Sequence, residues 1–96
     1  MLKVVNDKGF QMTFENGYTI SVMFGRGNYS SNRFNEGVPQ MGEASRAGAT
    51  IESDSAEICV WDENGDTALD TDCGGVLGWV STDEVASWIN KVRGWI

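Results

Sequence analysis

Between Glu52 and Glu84 the chain carries ten carboxylates (Glu52, Asp54, Glu57, Asp62, Glu63, Asp66, Asp70, Asp72, Asp83 and Glu84) and no lysine or arginine. Residues 1–51 set five basic side chains against four acidic ones, so the excess behind the net charge of −7 sits in that block. Carboxylates at this density could bind calcium, act in pairs on a glycosidic bond, or form a charged docking surface. An EF-hand loop opening at Asp62 needs Gly at its sixth position and Glu at its twelfth; the sequence has Thr67 and Cys73 there. Asp62-Glu63-Asn64-Gly65-Asp66 therefore reads as a hairpin turn rather than a metal loop. Glycoside hydrolysis needs two carboxyls held across a sugar, and no pocket for one is implied. Two readings remain: an acidic face that serves solubility, and a sharper one, a docking surface repelled by phosphate backbones and anionic membranes and drawn to basic protein. Nucleic-acid mimicry is a demanding version of it. Same-face residues on a strand repeat every ~6.8 Å against one charge per ~1.7 Å of duplex axis, so several rows would have to converge.

Other chemistries fall away for want of residues. The chain has no histidine and two cysteines, Cys59 and Cys73, without a CxxC pair. Ser–His and Cys–His catalysis lack their base, and a structural zinc site lacks its four ligands. Neither a catalytic residue nor a cofactor is expected. Two cysteines do not make a disulfide framework, so a reduced, cytoplasmic protein is the expectation. Gly25-Arg26-Gly27 begins like a phosphate loop, but Ser30 replaces the third glycine and no helix pattern follows. A weaker function survives there: Arg26 and Arg33 around an anion, with Asn28 beside them and Tyr29 stacking on a base, as an alternative ligand site. Of the four tryptophans, Trp88 and Trp79 read as core. Trp95 near the chain end is a candidate for exposure; Trp61 beside the acidic turn reads first as core, with an exposed anchor ringed by charge as the alternative.

The elements that must position these residues are legible in the patterning. Phe10, Met12 and Phe14 alternate with Gln11 and Thr13, and Tyr18, Ile20, Val22 and Phe24 alternate with Thr19 and Ser21, which is the period of two half-buried strands. A two-residue turn at Asn16-Gly17 would set Phe14 against Thr19 and place the two apolar sets on opposite faces. A three-residue loop, Glu15-Asn16-Gly17 with Gly17 left-handed, pairs Phe14 with Tyr18, Met12 with Ile20 and Phe10 with Val22. All six then share one face. Leu2–Val5 reads as a further strand. The pattern dissolves from Gly25 to about Thr50, a loop expected to be ordered only in part, with a short helical turn around Met41–Ala47. Ala56–Trp61 is a strand, Glu63-Asn64-Gly65 repeats the first turn with a return through Ala68 and Leu69, and Val76–Val80 is another strand.

The end of the chain is a helix. Ser81 is its N-cap and Glu84 closes a capping box, with Val80 and Val85 as a hydrophobic staple. Asp83 and Glu84 suit the positive pole, Lys91 and Arg93 the negative one. Val85, Trp88, Ile89, Val92 and Ile96 form an apolar stripe, opposite Ser87, Asn90 and Lys91. The expected architecture is α+β: an antiparallel sheet of four to six strands with one C-terminal amphipathic helix packed on it.

Ninety-six residues make one domain, with roughly 64% of the extended surface buried, enough for one modest core and little for a deep cleft. No apolar run reaches the length of a membrane span, and no basic-then-apolar leader opens the chain. In Phe14-Glu15-Asn16-Gly17-Tyr18-Thr19-Ile20-Ser21-Val22, in Gly27-Asn28-Tyr29 and in Ser81-Thr82-Asp83-Glu84-Val85-Ala86-Ser87-Trp88-Ile89, the chain resembles the small accessory proteins encoded by tailed bacteriophages outside their structural genes. That resemblance implies a protein that binds and blocks a host factor, restriction and CRISPR effectors included; it transfers no site residues. The expected function is a non-enzymatic inhibitor that docks Glu57, Trp61, Asp62, Glu63, Asp66, Asp70 and Asp72 on a basic host-protein surface, without binding nucleic acid or membrane directly. The alternatives are the Arg26–Arg33 ligand loop and a self-associating virion or assembly component, for which a dimer is left open.

Overall fold

A computed structural model describes residues 1–5, 8–24, 53–69 and 74–96. The 25–50 loop, the turn at Met41–Ala47, Asp70, Asp72, Cys73 and the alternative ligand residues Arg26, Asn28, Tyr29 and Arg33 lie outside them. The fold is α+β. Strands β1 (Leu2–Val4), β2 (Gly9–Thr13), β3 (Thr19–Met23), β4 (Ser55–Trp61) and β5 (Val76–Ser81) form one antiparallel sheet in chain order, followed by helix α1 (Thr82–Arg93).

The first hairpin takes the three-residue loop. Phe10 stands opposite Val22 and Met12 opposite Ile20. The Phe14 N–H donates to the Tyr18 carbonyl at 2.9 Å, the Gly17 N–H to the Phe14 carbonyl at 3.0 Å, and Gly17 has φ 91°. The acidic turn is its copy: Asp62 N–H to Asp66 carbonyl 2.9 Å, Gly65 N–H to Asp62 carbonyl 3.0 Å, Gly65 φ 86°. Its return is shorter than the sequence suggests. Thr67 makes a single bridge with Trp61, the Ala68 N–H donates to the Val60 carbonyl, and no strand continues through Leu69.

Alternation then sorts the faces. Ile20 and Val22 on β3, Ala56, Ile58 and Val60 on β4, and Val80 on β5 are buried together with Val92 of α1. Phe10, Met12, Phe14, Tyr18 and Leu77 pack around them. The helix lies over β3, β4 and β5. Its start follows the sequence: Ser81 is the N-cap, its hydroxyl accepting from the Glu84 N–H at 3.3 Å and donating to the Glu84 carboxylate at 2.9 Å.

Three details differ from expectation. The apolar stripe stops at Val92, because the chain leaves the helix at Gly94 and Ile96 is fully exposed. Trp95 turns back to meet Tyr18 edge-on, ring centroids 5.0 Å apart, and is half-buried. Trp79, expected in the core, is 58% exposed. Its displacement comes from a bulge: Leu77 pairs with Ile58 and Val80 with Ala56, so Gly78 and Trp79 together stand against Glu57. An extra residue re-aims its neighbours, and Trp79 takes a left-handed φ of 50° to do so.

Candidate functional site

The two Glu-Asn-Gly turns come to rest against each other at one end of the sheet. β3 and β4 are neighbours in register, Thr19 opposite Trp61, so the loops leaving them must abut. A side chain added at Gly17 would meet the Glu63 carboxylate at 3.3 Å. The Glu15-Asn16-Gly17 turn and the 62–66 turn therefore share one end of the sheet, with Gly17 against Glu63. Glu15, Glu63 and Asp66 are exposed and Asp62 is half-buried.

Asp62 builds its own turn. One carboxylate oxygen accepts from the Asn64 N–H at 2.8 Å and the Asp66 N–H at 3.1 Å, which fixes the loop. Asn16 does comparable work in the first turn. Its side-chain oxygen accepts from the Tyr18 N–H at 3.1 Å, while its amide nitrogen donates to the Val92 carbonyl at 2.8 Å and the Trp95 carbonyl at 2.9 Å. The carbonyls at a helix end carry partial negative charge and need donors; Asn16 supplies them and ties the hairpin end to α1. Among the described residues, two cations lie near the helix end. Arg93 shares a hollow with Thr13, Phe14, Glu15 and Asn16, and its guanidinium donates to the Asn90 side chain at 2.9 Å. Lys91 sits over the Trp88 ring, 4.6 Å from its centroid.

The remaining expected residues are placed less compactly. Trp61 is half-buried at the root of the acidic turn, bridged to Thr67 and paired with Thr19. Glu57 is half-buried four residues back along β4, about 13 Å away. Asp54, Asp83 and Glu84 belong to the opposite end, where Ser55 pairs with Ser81. The described part of the acidic block thus divides between two ends of β4, and Asp62, Glu63 and Asp66 are the members that share one turn, at the same end of the sheet as Glu15 from outside the block. Sequence reasoning missed Glu15 and Asn16. The signal was available: two copies of one turn on adjacent strands must end side by side.

Cys59 lies between Glu57 and Trp61 on the sheet face away from α1 and is half-buried. Burial, and secondly the charge of Glu57, push its thiol pKa up, so it stays protonated and unreactive near neutrality. Among the described residues no group of three His, Cys, Asp or Glu side chains is placed to hold a metal ion, and no helix is long and apolar enough to cross a membrane. Compared with protein-family models, curated proteins and solved structures, the chain finds no match.

Proposed function

We propose that this chain is a non-enzymatic binding protein whose acidic hairpin end docks on a basic protein surface of the kind that otherwise holds nucleic acid, and so blocks it. One observation carries the reading: the paired turns, Gly17 against Glu63, bring Asp62, Glu63 and Asp66 to the same end of the sheet as Glu15, on a scaffold that the Asn16 bonds hold to the helix end. A preformed negative surface steers encounter with a positive one and fixes its register. Trp61 at the root of the turn supplies an aromatic edge to such a contact. The likeness to phage accessory proteins adds the kind of target, a host defence or nucleic-acid-handling protein.

The test is capture of a partner from bacterial lysate, followed by its affinity as a function of salt with Glu63→Lys and Asp66→Lys together. The expected result is an affinity that falls steeply with added salt, drops at least tenfold on charge reversal, and competes with nucleic acid. An affinity indifferent to salt and to both reversals removes the acidic end from the mechanism. A thermal-shift screen with nucleotides separates the alternative ligand loop: stabilisation lost in Arg26→Ala, Arg33→Ala would favour it.

A further inference from the structure

Among the described residues β1 is an edge of the sheet, three strands from β4 and its acidic turn, and its residues alternate in a telling way. The Met1 carbonyl accepts from the Thr13 N–H at 2.9 Å and the Val5 N–H donates to the Gly9 carbonyl at 3.0 Å, so Met1 and Val5 direct their backbone groups to β2. In an antiparallel ladder every second residue faces the same neighbour. Lys3, opposite Gln11, therefore also faces β2, and Leu2 and Val4 turn their N–H and carbonyl groups to the open edge. Their side chains are 73% and 77% exposed. They stand opposite Met12 and Phe10, on the helix side of the sheet but beyond α1, which packs over β3, β4 and β5.

We propose that this edge takes an extended segment of another protein as an added strand, with apolar side chains beside Leu2 and Val4 and a carboxylate opposite Lys3. Backbone groups give such augmentation its attraction, and alternate side chains give it its selectivity. The bulge at Gly78 and Trp79 interrupts β5 at the other edge of the sheet, whereas β1 is regular, and its shortness and Lys3 disfavour unselective pairing rather than a matched strand. Lys3 decides the occupant. A second copy could pair both Leu2 and Val4 only in a two-fold register that sets the two Lys3 side chains directly opposite each other, where like charges repel, and each copy brings a net charge of −7. An acidic residue flanked by apolar ones meets the same three positions without conflict. This surface is separate from the acidic hairpin end, so it stands or falls independently of the docking proposed there.

The probe is a capped peptide Ser-Val-Glu-Val-Ser, titrated into the full chain with amide exchange read residue by residue and Ser-Val-Lys-Val-Ser as control. Expected are slowed exchange at the Leu2 and Val4 amides with little change at Lys3, and binding of the lysine peptide about fivefold weaker or worse. Lys3→Glu should reverse that preference. Val4→Pro removes an outward N–H that the internal ladder does not use and should abolish binding while helix content is kept; should that variant fail to fold, the reversal by Lys3→Glu carries the test. Unchanged Leu2 and Val4 amides at millimolar acidic peptide would overturn the proposal. So would a dimer, seen by sedimentation, in which those amides are already protected without peptide.

Discussion

Asn16 does more than its place in a turn suggests. It donates to the Val92 and Trp95 carbonyls and accepts from the Tyr18 N–H, so its loss removes several bonds at once, although the Val92 carbonyl keeps the Trp95 N–H. Asn16→Ala should cost about 1–3 kcal/mol in denaturant unfolding. Asn16→Asp should cost at least as much, because it puts a carboxylate at the negative end of the helix. Cys59 gives a second residue-scale expectation. With its thiol pKa raised in the fold, the native state holds its proton more tightly than the unfolded chain. The associated stability is therefore present at neutral pH and is lost as pH rises above the ordinary thiol range. Alkylation of Cys59 at pH 7.5, followed by peptide mapping, should be slower than that of free cysteine; equal rates would contradict a desolvated thiol.

At the scale of elements, the two Glu-Asn-Gly turns form a natural comparison. Both glycines have left-handed φ values, but a side chain at Gly17 would press on Glu63, while Gly65 has nothing within 4 Å. Gly65→Ala should cost about 1–2 kcal/mol for the conformation alone, and Gly17→Ala measurably more; equal costs would mean the turns do not touch. The helix makes a simpler case. Ser81→Ala should lose about 1 kcal/mol with the cap. These elements were readable in advance because local chemistry sets them: Phe10, Met12, Ile20 and Val22 reach one face only with a three-residue loop, and Ser81 with Glu84 announces a helix start. Trp79 was not readable in that way. Strict alternation sends it inward, whereas Leu77 and Val80 both pair with core residues of β4 across an interval of three. Gly78 inside a strand pattern was the available hint of a bulge.

Among the described residues, the two sides of the sheet carry different charges. Lys3 and Lys8 flank β1 and its turn, and Asp62, Glu63 and Asp66 crown the turn after β4. The core that holds this arrangement is small, with Ile20, Ile58, Val60 and Val92 fully buried. Ile58→Ala should therefore cost about 2–5 kcal/mol, a large share of the total for a domain of this size. The double reversal at Glu63 and Asp66, both exposed and outside that core, should leave the unfolding midpoint almost unchanged. That contrast makes binding and stability separable in experiment.

From its sequence alone the chain determined its strands, the register of its first hairpin, its capped helix and the α+β class, because each depends on periods and turn residues a few positions apart. Tertiary structure decided which carboxylates stand together. Gly17 is more than forty residues from Glu63 and becomes its neighbour only because β3 pairs with β4, whereas Asp83 and Glu84, within the same acidic run, are carried to the other end by β5. Charge density along a chain is a one-dimensional quantity; a surface is made by strand pairing, which joins positions that the sequence keeps apart.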